Sequence, residues 1–365
     1  MKSCEVAIIG AGLAGLYAAW SLHKVGVDVL LLEARDRIGG RILTVDPSGV
    51  PSEDGFDLGP SWYWPKMQPD MEGLINELGL STFTQHSVGD IIFERMSRET
   101  PQRYSPALEN QQSVRLAGGT SALTRALAKQ LGHDKLKLGT TVEAITLEEQ
   151  AVELKLRNGS MTDTLQAKHV IAALPPRLLD ATVAFHPPQA AATTERWRAT
   201  PTWMAPHAKF FAVYPEPFWR AAGLSGTAQS MVGPMAEIHD ATTASGKAAL
   251  FGFLGVGAGQ RQAAGEDAIK MACLAQLQRL FGPAAGKPVA TLLKDWASDP
   301  LTATSADISA GGHSVAHIEE WVAEPWSRRL SLAGSETSTI EPGYLAGAVT
   351  AAQRAVTRYL SKATS

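Results

Sequence analysis

The chain opens on two short apolar runs, Cys4-Glu5-Val6-Ala7-Ile8-Ile9 and Val27-Asp28-Val29-Leu30-Leu31-Leu32. They are too short for helices and too continuous for half-exposed strands, which predicts strands buried on both faces. A helical pattern lies between them. Met71 to Gly79 reads as one short helix closed by a glycine. Leu123, Leu127 and Leu131 mark a second helix behind the Gly118-Gly119 turn. From Leu136 to Arg157 apolar and polar positions alternate, and Asn158-Gly159 signals a hairpin. His169 to Leu174 is again apolar, closed by Pro175-Pro176. Further on, His207–Tyr214, Ala249–Gly255 and Val289–Leu293 read as strands, Gly265–Phe281 as a helix, and the region from Tyr344 as a C-terminal helix. Ser97 to Gln112 is polar and irregular, the pattern of a surface loop. Early strands interleaved with helices, then a meander, then a second set of strands predict an α/β chain.

Composition narrows the class. The 365 residues hold about two domains at ~100–200 residues each. With 45% hydrophobic and 19% charged residues, the chain can bury a substantial core. A net charge of −3 offers no electrostatic case for nucleic acid or an anionic membrane surface. Cys4 and Cys273 form no disulfide framework. The first strand leaves no room for a signal peptide, and no apolar stretch reaches the ~18 residues of a membrane helix. The expectation is a soluble cytoplasmic protein.

The first strand runs into Gly10-Ala11-Gly12-Leu13-Ala14-Gly15, a G-x-G-x-x-G turn that opens a helix. In that setting Gly10 permits the tight turn, Gly12 lets backbone approach a pyrophosphate, and Gly15 lets helix and strand pack closely. The helix N-terminus offers unpaired N–H groups to phosphates. Glu33, at the end of the second strand, can bond a ribose hydroxyl and would repel a 2′-phosphate, so the ligand is the ADP half of NAD or FAD. No G-x-S-x-G elbow or phosphate-binding lysine loop competes. His313 and His317 have i, i+4 spacing but no H-E-x-x-H context, and read as polar surface histidines rather than a metal site.

The following stretch, Glu33-Ala34-Arg35-Asp36-Arg37-Ile38-Gly39-Gly40-Arg41, resembles the cofactor loop of the flavin-containing amine oxidases, the monoamine and polyamine oxidase superfamily. Four further stretches carry the same resemblance. They are Asp57-Leu58-Gly59, Val170-Ile171-Ala172-Ala173-Leu174-Pro175-Pro176, the Lys209 to Trp219 strand with its Glu-Pro-Phe-Trp ending, and Gly334-Ser335-Glu336-Thr337 with Gly343-Tyr344. The resemblance implies a Rossmann-like FAD-binding domain (parallel sheet plus β-meander) formed by 1–62, 112–180 and 328–365. A substrate domain on a mixed sheet follows from 63–111 and 181–327. It implies FAD contacts from Gly10, Gly12, Leu13, Ala14, Gly15, Glu33, Ala34, Arg35, Gly39, Gly40 and Arg41. To these it adds Gly59, Pro60 and Ser61 along the flavin ring, Val142 at the adenine, and Ala173, Trp296, Gly334, Glu336 (to a ribityl hydroxyl), Leu345 and Ala346.

The resemblance makes Lys209 the catalytic-site lysine and Tyr344 a surviving tyrosine of the aromatic cage, with Trp62, Trp64 and Trp219 as further substrate walls. Trp62 to Trp64 reads from residues alone either as a plug between domains or as a pocket wall. Two departures matter. Where the covalent flavin cysteine of monoamine oxidases falls, this chain has Ser305, so FAD should be non-covalent. The neighbouring cage tyrosine is absent too. The interval from Gly59 to Gly118 is short, which predicts a reduced lid. The implied activity is oxidation of a small amine to an imine, hydrolysed to an aldehyde or ketone, with O2 converted to H2O2. Ser61-Trp62-Tyr63 stands where amino-acid oxidases carry a carboxylate-binding arginine, so a simple amine is preferred. A renalase-like or desaturase-like flavoprotein, or a flavin-binding protein without turnover, remain the alternatives.

Overall fold

The computed structural model describes residues 2–105, 113–309, 312 and 320–363. Two sheets organise it. In the first, the strands run in the order Ala184–His186, Thr141–Leu147, Val152–Asn158, Met161–Ala172, Lys2–Ile9, Val29–Leu32, Leu136–Lys137, with Leu330–Leu332 beside the long central strand. That central strand changes character along its length. Its outer part pairs antiparallel with Val152–Asn158, whereas Leu165 to Ala172 pairs parallel with Lys2–Ile9. The sequence follows: alternation gives way to the continuous apolar Val170-Ile171-Ala172, buried on both sides. The second opening strand is shorter than expected, Val29–Leu32, because the turn at Gly26 consumes the residues before it.

Helices Leu13–Lys24, Pro69–Glu77, Ser121–Leu131 and Leu345–Ala363 pack on one face of this sheet through Leu16, Leu22, Met71, Leu74, Leu123, Leu127, Val349 and Ala352. On the other face Trp197, Trp321 and Trp326 close a second core with Val170, Ile145 and Leu154.

The second sheet runs Ala290–Asp295, Ala208–Tyr214, Ala248–Leu254, Met235–Asp240, Leu224–Ser230, Asp90–Glu94, Gln102–Tyr104. Every residue of Ala208–Tyr214 is buried, since both faces are covered. Phe210, Ala212 and Tyr214 pack with helix Glu266–Phe281 through Ile269, Cys273 and Leu277. Phe211 and Val213 face the other way, onto Val45, Phe56 and Leu58. Strand periodicity therefore sends Lys209 to the side shared with the first sheet's half of the molecule.

One of the remaining expectations holds and one is corrected. The expected Gly265–Phe281 helix is the single helix Glu266–Phe281, and a further short helix, Ala258–Ala264, precedes it across Gly265 at φ 81°. The Ser97–Gln112 loop contains an edge strand, Gln102–Tyr104, exposed at all three residues and therefore without an apolar signal. Residues 106–112 of that loop lie outside the described residues, as do His313 and His317. Among the described residues no helix is long and apolar enough to cross a membrane.

Candidate active site

A cavity of about 920 Å³ begins at the carboxyl ends of the parallel strands and extends to the second sheet. Gly10, Gly12, Leu13, Ala14, Gly39 and Gly40 line its first part. A Cβ built on Gly12 would meet nothing nearer than the Gly39 carbonyl oxygen at 3.8 Å. The space in front of the turn is thus a cradle, closed to side chains only by the choice of glycine. Gly15 is different: a Cβ there would lie 1.9 Å from the Gly10 carbonyl oxygen, so its role is helix–strand packing and it does not line the cavity. The helix starting at Leu13 has no side-chain cap at Gly12, leaving its first turn available to an anion.

Glu33 is buried, and its carboxylate accepts from the Ala11 N–H at 2.7 Å and the Arg35 N–H at 2.8 Å. Two backbone donors fix its orientation where the strand ends at the cavity wall. Val142, Thr140, Thr141 and the Glu143–Arg157 pair line the same end. Arg35 donates through both terminal nitrogens to Asp299, at 3.0 and 2.9 Å, and to Thr302. It lines the cavity while tying the opening strand to the distant 299–302 turn.

Arg41 lines the cavity in the middle. Its guanidinium is held by Glu336 at 2.6 and 3.1 Å, by Ser335 Oγ at 3.0 Å and by the Trp203 carbonyl at 2.8 Å. Glu336 is fully buried and does not reach the cavity. The expected ribityl contact from Glu336 is therefore corrected: it aligns Arg41 through a bidentate pair. Ala346 likewise sits behind the lining, whereas Leu345, Ala173, Gly334 and Trp296 reach it.

At the far end Lys209 is buried, 1% exposed, with Nζ 2.5 Å from the Gly59 carbonyl, 2.9 Å from Ser61 Oγ and 3.3 Å from the Asp57 carbonyl. The ammonium also lies 4.6 and 4.9 Å from the ring centres of Phe251 and Phe253. Burial pushes its pKa down to about 7, against the pull of Asp57. The Asp57 carboxylate is itself fixed by Thr44 Oγ1 and by the Thr120 N–H and Oγ1 at 2.6 to 2.9 Å. Gly59, Pro60 and Ser61 line the cavity beside the lysine.

Aromatic side chains wall this end. Trp62 and Trp64 face the cavity and Tyr63 faces the core, the alternation of an extended segment. Trp62 Nε1 donates to Gln85 Oε1 at 2.8 Å, and Gln85 in turn donates to the Asp240 carbonyl. Tyr344 lies across from Trp203, with ring centres 6.3 Å apart and planes at 33°. Burial raises the Tyr344 pKa. Trp219 is corrected: it is fully buried in the second sheet's core, donates from Nε1 to Asp240 at 2.9 Å and does not line the cavity. Trp203, Met204, Glu237 and Phe253 are lining residues that the sequence reading missed. No local signal marks them, because they meet the site only through strand register and a loop that carries Met204 at φ 66°.

The chain matches the model of the "Flavin containing amine oxidoreductase" family over residues 95–360 and that of the "NAD(P)-binding Rossmann-like domain" over residues 8–78. It is 24% identical to a Dictyostelium discoideum protein described as probable flavin-containing monoamine oxidase A, with 94% of this chain and 95% of that one covered. Its fold is similar to that of wild-type putrescine oxidase bound to putrescine, with TM-score 0.79, 21% identity and coverage of 98% and 99%. It is also similar to cyclohexylamine oxidase from Brevibacterium oxydans IH-35A, with TM-score 0.81, 21% identity and coverage of 99% and 100%.

Proposed function

The chain belongs to the flavin-containing amine oxidoreductases, oxidoreductases that act on amines, and from that premise we propose that it oxidises the C–N bond of a small amine with non-covalently held FAD and O2. The net reaction converts amine, O2 and water into aldehyde or ketone, the released nitrogen base and H2O2. The observation that carries this reading is Lys209, held by Gly59 and Ser61 at the aromatic end of a cavity whose other end is a dinucleotide cradle.

The residues present fit FAD. The Gly12 cradle and the uncapped helix would hold the pyrophosphate, Glu33 the ribose and Val142 the adenine, while Gly59, Pro60, Ser61 and Leu345, which line the same cavity, would hold the ring. Neither Cys4 nor Cys273 lines the cavity, which supports non-covalent binding. Bound flavin supplies the two-electron acceptor. This chain's residues do the remainder. Trp62, Trp64, Phe253 and Tyr344 exclude water and favour the uncharged amine. A Lys209 ammonium that titrates near neutrality can hold or release a proton beside the reacting carbon. The halves expected to form the cofactor and substrate domains meet along this cavity.

The test is a panel of amines with peroxide as readout, on protein that is yellow and releases intact FAD when denatured. Colourless protein that takes up no flavin on reconstitution overturns the reading. FAD-loaded protein that yields no peroxide with any amine, but whose flavin a dihydronicotinamide isomer reduces, replaces it with the renalase-like alternative.

A further inference from the structure

The shell around Lys209 satisfies the lysine in either protonation state. Its Nζ donates to the Gly59 carbonyl at 2.5 Å, to Ser61 Oγ at 2.9 Å and to the Asp57 carbonyl at 3.3 Å. An ammonium has three N–H bonds, and these acceptors use all of them. A neutral amine has two N–H bonds and a lone pair. The two carbonyls then accept as before, while the Ser61 hydroxyl reverses and donates to Nζ. The two states differ by the direction of one hydrogen bond. Carbonyl oxygens cannot pass a proton on, whereas a hydroxyl both accepts and donates. The rings of Phe251 and Phe253, 4.6 and 4.9 Å from Nζ, do neither. Ser61 lines the cavity, and among the described residues its hydroxyl has no other hydrogen-bond partner.

The charged groups packed around the lysine are committed to other partners. Asp57 Oδ1 accepts from Thr44 and Thr120, and Arg115 donates to the Thr242 and Ala241 carbonyls; neither residue lines the cavity. Asp57 favours the ammonium and Arg115 opposes it. Lys294, directly opposite Lys209 on one neighbouring strand, bonds Asp299. Glu237, across Phe253 on the other side, is bonded to His239.

We propose that Ser61 is the proton relay of this site, its hydroxyl taking a proton from the incoming substrate ammonium while passing its own to neutral Lys209. This rests on the amine-oxidation reading and adds a catalytic residue to it. In the step one substrate N–H bond and the Ser61 O–H bond break, and a new O–H and a new Nζ–H bond form. Each electron pair stays with its heavy atom, so nothing is oxidised. The positive charge moves from substrate to lysine, and the amine is left uncharged for oxidation. Aromatic walls desolvate the substrate ammonium, whereas the lysine ammonium finds three acceptors waiting.

The experiment follows anaerobic flavin reduction by hexylamine from pH 6 to 10 in FAD-loaded wild type, Ser61→Ala and Ser61→Thr. The wild-type second-order rate constant should rise through neutrality and then level off, because the relay needs neutral Lys209. Without the hydroxyl, only amine already neutral in solution reacts, and an alkyl amine titrates near 10.4 as a lysine side chain does. Ser61→Ala should therefore be slower by about 10²-fold at pH 8 and converge on wild type near pH 10. Ser61→Thr should keep the wild-type profile. A second readout needs no amine: solvent exchange of the Lys209 ammonium protons, seen by NMR with 15N-labelled lysine and assigned by its loss in Lys209→Met, should slow about tenfold in Ser61→Ala. A Ser61→Ala rate profile that superimposes on wild type, or unchanged exchange, overturns the relay and leaves amine oxidation standing. Slowed exchange in a protein whose flavin no amine reduces supports the relay and overturns the oxidation reading.

Discussion

Replacing Lys209 by Met removes the ammonium while keeping most of the side-chain volume, and the structure sets the sign of the result. The folded pKa of Lys209 is pushed down to about 7 from an ordinary 10.5 by burial. At 1.36 kcal/mol per pKa unit, keeping this lysine in the fold costs about 4 kcal/mol at pH 7. The cost is fully present below pH ~7 and fades as pH rises toward 10.5, because only the unfolded chain then still takes up the proton. Against it stand the bonds to the Gly59 carbonyl, the Asp57 carbonyl and Ser61 Oγ, each contributing about 1 kcal/mol. Lys209→Met should therefore be more stable than wild type by about 1 kcal/mol at pH 7 and less stable by about 2 kcal/mol at pH 10. Urea unfolding of both proteins with saturating FAD across pH 6 to 10 measures the difference. A difference that stays flat with pH, or a variant already weaker at pH 6, refutes the claim that burial depresses this lysine. In the same variant, anaerobic stopped-flow reduction of bound flavin by amine should slow about 10²-fold with FAD retained. An unchanged reduction rate removes Lys209 from the chemistry.

The two glycines of the opening turn should separate by phenotype. Gly12→Ala has room for its methyl group within the protein and should fold as wild type while losing flavin content, read from absorbance. Gly15→Ala cannot place its methyl group 1.9 Å from a carbonyl oxygen and should lower the melting temperature outright; a normal melting curve would falsify the packing role. Trp219→Phe should cost about 1 kcal/mol of stability through the lost Nε1 bond to Asp240, whose carboxylate keeps Arg220 and the Thr242 N–H, with KM for the amine unchanged; a raised KM would return Trp219 to the pocket. Arg41→Leu leaves Glu336 buried without its ion-pair partner, so both FAD affinity and stability should fall, the latter by about 3–5 kcal/mol. Restoring stability by Arg41→Leu with Glu336→Leu, but not FAD binding, would confirm the division of labour.

The opening strand, the glycine turn, Glu33, the arginine loop and the C-terminal Gly334 to Leu345 stretch were legible in the sequence alone. Their chemistry is local: a glycine is needed where the backbone itself contacts a ligand, and a buried parallel strand must read as continuous apolar residues. The strand carrying Lys209 was legible for a similar reason, since a lysine among apolar neighbours is conspicuous.

What only the tertiary structure decided was where side chains from distant segments meet. Glu336 is as polar as Glu33, yet the fold gives it to Arg41 rather than to the cavity. Trp219 is as aromatic as Trp62, yet strand packing points it into the core beside Asp240. Glu237 carries no local signal at all. It enters the site because two antiparallel pairings set it one row from Lys209, and register between strands depends on the whole sheet rather than on any residue's neighbours in the chain.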